Sequence, residues 1–242
     1  MSLPRLFLTA LPGTENLAVP LGAEAARHLR ALRLKPGDAL ELVLGDEPWT
    51  ADLAELTRDQ ALARLVAPLA EDREPPFALE ACLPLPAQLS LFDDWLAPLV
   101  ELGVTRIQPV VYARSEFEPR KTAARMERWD RLILTACEQS HRTRRPELHP
   151  PMAFEALLAW PTAQKWVAYE LPTGQVNPSL GREPLAFTSG PEGGITDGEF
   201  AALAAAGWQP VSLGPSILRA VTAPVALLGA VQFQLGQELP PM

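Results

Sequence analysis

Two glycine-bearing runs in the last quarter of the chain have the residue types of a ligand site. The first is Gly190-Pro191-Glu192-Gly193-Gly194. The second is Leu213-Gly214-Pro215-Ser216-Ile217-Leu218-Arg219. Glycine lets backbone approach a bound molecule closely, and a loop between strand and helix presents N–H groups to it. The common phosphate sites are absent. There is no G-x-x-x-x-G-K-[ST] run, and no G-x-G-x-x-G opens a first strand–helix unit. No Ser, His and Asp stand in a nucleophile-elbow context. His28, His141 and His149 make no paired metal-ligand spacing with Cys82 and Cys137, so no metal is expected. Cys137 falls inside an expected helix beside Glu138, which disfavours a thiolate; both cysteines read as buried thiols of a reducing compartment.

A second set of residues carries charge. Between Arg114 and Arg145 lie eight arginines, one lysine and five acidic residues, a local charge of +4 in a chain whose net charge is −8. The acidic total argues against general coating of nucleic acid. The arginine preference argues for a defined polyanion site, because the guanidinium fork contacts phosphate bidentately. A solvated helix face with i,i+4 pairs such as Glu127 with Arg131 is the plainer alternative.

The elements that must position these residues follow from pattern. Short alternating strands are expected at Arg5–Thr9, Ala39–Leu44, Thr50–Leu56 and Ala61–Pro68, with a helix over Ala23–Leu34 and a turn at Pro36-Gly37-Asp38. Strands this short and closely spaced suggest a small barrel. The stretch from Glu71 to Pro76 reads as a linker. After it the rhythm becomes strand, helix, strand. Strands are expected at Phe77–Leu83, Val104–Val111, Trp166–Leu171, Leu185–Ser189 and Gln209–Leu213. Helices are expected at Ser90–Leu102 and Thr122–His141, from the capping box at Thr196 and Glu199 through Ala206, and from Ile217 to Leu235 with an interruption at Pro224. Alternation of this kind means a largely parallel α/β sheet. Both glycine runs then sit beyond strand carboxyl ends, where open α/β sheets bind ligands.

The chain has 242 residues, 48% hydrophobic and 21% charged, enough for a packed core without disulfide or metal staples. Proline, at 26 residues, is about twice its usual share and stiffens the loops. No apolar run approaches the ~20 residues of a membrane span. The first thirteen residues, bracketed by Pro4 and Pro12, are too short for a signal peptide, so a cytoplasmic protein is expected. Taken residue by residue, these features fit a neutral or mixed-charge small ligand held by two backbone loops near an arginine-rich surface.

The two runs, with Thr222-Ala223 after the second, resemble the bacterial 16S ribosomal RNA uridine-N3 methyltransferases of the SPOUT superfamily. Earlier segments are similar too: Leu29-Arg30 through Leu34 with Pro36-Gly37-Asp38, Glu101-Leu102-Gly103-Val104 with Arg114-Ser115, and Ala136-Cys137-Glu138-Gln139-Ser140 with Arg142 and Pro146. The resemblance spans nearly the whole chain. It implies a PUA-like, RNA-binding β-barrel over residues 1–72, then an α/β SPOUT domain over residues 73–242 whose C-terminal part forms a trefoil knot. It implies a homodimer that uses S-adenosylmethionine to methylate N3 of a decoding-region uridine in 16S rRNA of the small ribosomal subunit. Cofactor contacts are then expected from Leu171, Gly190, Glu192, Gly193, Gly194, Leu213, Gly214, Ile217 and Leu218. Arg219 is the expected catalytic cation, stabilising charge on the uridine carbonyl oxygens. Arg30, Arg33, Arg114 and Arg142 are expected on RNA. Val221 stands where the family carries an acidic residue, and Ser216 where a basic one is common. A non-catalytic RNA-binding relative and a methyltransferase for another RNA are the alternatives.

Overall fold

The first strands pair because alternate residues are apolar and can share one buried face. In the computed structural model, which describes residues 3–8, 17–70, 73–170 and 177–238, these are β1 (Arg5–Leu8), β2 (Ala18–Leu21), β3 (Ala39–Leu44), β4 (Glu47–Leu56) and β5 (Ala61–Pro68), with α1 (Ala23–Ala31) after β2. The sheet order is β1-β3-β4-β5-β2, with β1 parallel to β3 and the other pairs antiparallel. Register shifts after Thr50 and Leu53 bend β4. The two edge strands put Leu6, Val19 and Leu21 into one cluster with Leu29 of α1 and Leu42 of β3, so the sheet curls around a single core. Strand β2, which lacks a clear alternation, was not expected. Helix α1 stops at Ala31 rather than Leu34, and Arg33 takes a left-handed φ of 63°.

The second unit is a parallel sheet flanked by helices. Its elements are β6 (Leu79–Pro84), α2 (Ser90–Glu101), β7 (Arg106–Val111), α3 (Pro119–Ser140), β8 (Glu147–Leu148), β9 (Met152–Ala153), α4 (Phe154–Leu158), β10 (Gln164–Ala168), β11 (Leu185–Thr188), α5 (Asp197–Ala205), β12 (Gln209–Val211) and α6 (Ala223–Glu238). The strand order is β12-β10-β11-β6-β7-β8, with β9 also on β7, and every pairing is parallel. Strand β6 is buried along its whole length, as a central parallel strand must be. Asp93 of α2 ties that helix to α3, accepting from Trp129 Nε1 and Arg128 Nε at 2.8 Å each. The expected C-terminal helix is corrected at its start. Residues 217–222 are not helical, and α6 begins at Ala223, so Pro224 occupies the first turn, where its missing N–H costs nothing.

The chain divides into two units: residues 1–74 with 137–145, and residues 75–136 with 146–242. The segment 137–145 is held in the first unit by buried charge. Arg5 is 2% exposed; its Nε donates to Glu41 at 2.8 Å and its guanidinium also donates to the carbonyls of His141 and Arg142. His141, the expected end of the helix, is half-buried with a left-handed φ of 56° and sets Nδ1 3.0 Å from Glu41.

Candidate functional site

Three loops leave the carboxyl ends of neighbouring parallel strands and meet at one cavity of about 600 Å³. From β10 come Tyr169 and Glu170. From β11 come Gly190 through Ile195. From β12 come Leu213, Gly214 and Ser216 through Ala220. The volume lies inside the ~300–1,000 Å³ of small-molecule sites. Among the described lining residues the charged side chains are Glu170, Glu192 and Arg219, so the wall carries more negative than positive charge. The larger aliphatic side chains are those of Ile195, Val211, Leu213, Ile217 and Leu218, with Ile217 76% exposed.

The β11 loop is shaped by its glycines. Gly194 has a φ of +76°, a conformation that L side chains rarely take, and its N–H donates to Pro191 O at 2.8 Å. A Cβ on Gly193 would lie 3.0 Å from Cδ and 3.2 Å from Cβ of Arg114. The loop then enters α5 through the expected capping box. Thr196 Oγ1 accepts from Glu199 N at 3.2 Å, and Glu199 Oε2 accepts from Thr196 N at 2.8 Å. On the β10 loop, Tyr169 N donates to Val211 O at 3.1 Å, and its ring stacks on Phe200 of α5 at 3.8 Å between centroids.

The cavity therefore brings together Gly190, Glu192, Gly193, Gly194, Leu213, Gly214, Ile217, Leu218 and Arg219. Leu171 lies outside the described residues. Arg219 is exposed, and among the described residues no carboxylate pairs with its guanidinium. Ser216 is on the wall; Val221 is half-buried and not part of it. Tyr169 and Glu170 are wall residues that the sequence reading missed, because it ran the strand on to Leu171. The strand ends at Ala168, and the Leu171-Pro172 pair was the signal that a loop was near.

The arginines expected on RNA lie in different settings. Arg30 and Arg33 are exposed on α1 and the turn after it. Arg114 is exposed, and its Nη1 donates to the carbonyl of Gly193. Arg142 is a correction: it is 3% exposed, and its Nε lies 3.0 and 2.9 Å from the two carboxylate oxygens of Glu74. Glu74 Oε1 also accepts from the backbone N–H groups of Thr143 and Arg144. Burial pushes the Glu74 carboxyl up, but Arg142 and those donors more than reverse it, and it sits below its ordinary value. A fork committed to a buried carboxylate is not presented to phosphate. Cys82 and Cys137 are both free and buried, and burial pushes the Cys137 thiol up to about 12. Among the described residues no group of three His, Cys, Asp or Glu side chains is placed to hold a metal, and no helix is long and apolar enough to cross a membrane.

An RNA methyltransferase domain matches residues 73–232, and an RNA methyltransferase PUA domain matches residues 21–66. A ribosomal RNA small subunit methyltransferase E of Synechocystis is 34% identical over 216 residues, which are 85% of this chain and 69% of that protein. The Bacillus subtilis protein of the same name is 28% identical over 231 residues, 88% of each chain. A crystal structure of the methyltransferase E of Neisseria gonorrhoeae bound to S-adenosyl methionine superposes with a TM-score of 0.85 at 31% identity, covering 96% of this chain and 98% of that one. A methyltransferase of Legionella pneumophila in complex with the same cofactor gives 0.84 at 26% identity, covering 97% and 98%. The chain belongs to the RNA methyltransferase family and, within it, to the ribosomal RNA small subunit methyltransferases E.

Proposed function

We propose that this chain methylates N3 of a uridine in the 16S rRNA of the small ribosomal subunit, with S-adenosylmethionine as methyl donor. The observation that carries the reading is the cavity. Its wall is made largely of glycine backbone and branched apolar side chains, with two carboxylates and one arginine. Such a wall suits a donor with a flat aromatic base, hydrogen-bonding edges, a positive charge and no phosphate. Leu213, Ile217 and Leu218 offer apolar surface to the base. The backbone of Gly190–Gly194 and Gly214 offers the polar contacts, and Glu170 and Glu192 offset the positive charge. When bound, S-adenosylmethionine supplies a methyl group on a positively charged sulfur.

The chain's own contribution at the acceptor is electrostatic. N3 of uridine must lose its proton before it can accept the methyl, and the negative charge spreads onto the two flanking carbonyl oxygens. Arg219, unpaired among the described residues, is the fixed cation for that charge. Arg30 and Arg33 are read as phosphate contacts on the RNA. The names of the relatives, and the donor bound in the Neisseria and Legionella structures, support this reading. We also read the chain as a cytoplasmic homodimer. Ile217 and Phe233, 76% and 69% exposed, supply apolar surface suited to a second copy.

The test is calorimetric titration with S-adenosylmethionine, followed by labelled methyl transfer to small subunits that lack N3-methyluridine. Saturable binding with label at N3 of one uridine is the expected result. Binding without transfer to these subunits would direct the activity to another RNA. Absence of binding would leave an RNA-binding relative without the reaction.

A further inference from the structure

We propose that Arg114 is a positioning residue for the glycine loop of the cavity, so that the connection from β7 to α3 sets how tightly the chain holds its methyl donor. The proposal rests on the function argued above. Three consecutive residues after β7 each bond to the β11–α5 segment. Tyr112 Oη lies 2.7 Å from Thr188 Oγ1. Thr188 Oγ1 itself donates to Cys82 O at 2.6 Å, so the tyrosine is the donor. Ala113 N donates to Glu199 Oε1 at 2.7 Å, on the carboxylate whose other oxygen caps α5. Arg114 Nη1 donates to Gly193 O. Strand β6 separates β7 from β11, so no strand ladder requires these bonds.

The peptide between Gly193 and Gly194 is thereby pinned at both ends. Its oxygen accepts from Arg114, and its N–H donates to Pro191 O at 2.8 Å. A peptide with glycine on both sides rotates at little steric cost, so it is the part of the loop that most needs an external hold. Gly193 also leaves room for the arginine stem, since a Cβ there would lie 3.0 Å from Arg114 Cδ. Both glycines line the cavity, whereas Arg114 lies outside its wall. Its truncation therefore alters loop geometry without removing wall atoms. Arg114 is exposed, so truncation also spares the core.

The experiment compares wild type, Arg114→Ala and Arg114→Lys as full-length protein. Hydrogen exchange of the 190–195 segment is measured without ligand, and donor affinity by calorimetry. Loss of a charge-assisted bond predicts roughly tenfold faster exchange at Gly194 and roughly tenfold weaker binding of S-adenosylmethionine in Arg114→Ala. Arg114→Lys, which keeps a cationic donor on a long stem, recovers most of both. In turnover, the KM for the donor rises by more than kcat falls, and the salt dependence of RNA binding stays at the wild-type slope. Unchanged exchange in Arg114→Ala overturns the proposal. So does a loosened loop with unchanged donor affinity, or a flattened salt slope with unchanged donor affinity, which would make Arg114 a phosphate contact. Failure of the wild type to bind the donor would sink the proposed function instead, and the exchange measurement would still decide whether Arg114 holds the loop.

Discussion

Glu138 is a carboxyl whose surroundings work against its charge. Burial pushes it up, the N–H of Phe7, donating to Oε1 at 3.3 Å, pulls it part of the way down, and the neighbouring charge of Glu24 adds to the rise, leaving it raised to about 7. The unfolded carboxyl ionises near 4.5. Between those values the folded state keeps a proton that the unfolded state has lost, so stability falls as pH rises from about 4.5 to about 7, and the penalty is complete above that window. Glu138→Gln keeps an oxygen for Phe7 and removes the charge. We expect its melting temperature to exceed that of wild type at pH 8, with the difference vanishing toward pH 4.5; equal melting at both pH values would refute the assignment. Residues of this kind are not legible in sequence. Glu138 meets Phe7 across 131 positions, and Arg142 meets Glu74 across 68. The glycine loops are legible as loops, because glycine marks local backbone that other residues rarely adopt, but the hold of Arg114 on Gly193, across 79 positions, is not. Gly194 needs its left-handed φ whatever lies elsewhere in the chain.

Segment 137–145 is the element whose role the sequence hid most completely. Periodicity predicts α3 to within a few residues, and Trp129, Ile133 and Ala136 on that helix are buried. Periodicity reports only which face is covered. It could not reveal that the end of α3 and the turn after it belong with the N-terminal strands, nor that an arginine there is interior. The same limit explains Pro224, which is equally compatible with a kink and with a first turn. Arg142→Ala takes from Glu74, whose side chain is 2% exposed, the guanidinium that pairs with its carboxylate. Breaking a buried pair from one side costs about 3–5 kcal/mol, so a marked fall in melting temperature is expected by scanning calorimetry. Adding Glu74→Gln removes the buried carboxylate charge while keeping an acceptor for Thr143 and Arg144, and should restore most of the loss. Unchanged melting of the single variant, with weakened RNA binding, would return Arg142 to the RNA surface.

At the scale of the molecule, an acidic chain must bind a polyanion. The +4 of residues 114–145 within a net charge of −8 leaves −12 elsewhere. At physiological salt the Debye length is about 8 Å, so a phosphate responds to the nearest few side chains rather than to the total. Affinity for RNA then depends on small exposed groups of arginines. The group on α1 and its following turn is Arg27, Arg30 and Arg33, all exposed. Among the described residues, the side chain of Arg30 makes one long contact, to Arg58 O at 3.5 Å, which a phosphate can replace. Arg33 has a left-handed φ of 63°, so Asn, which tolerates that conformation, is the replacement that isolates charge from backbone strain. For the double variant Arg30→Gln, Arg33→Asn we expect weaker RNA binding and a log K against log salt slope shallower by about 1–2, since each phosphate contact contributes a little under one. Affinity for the methyl donor, measured without RNA, should be unchanged, because neither residue lines the cavity. An unaltered salt slope would remove this helix from the RNA surface and leave recognition to the arginines of the 114–145 segment.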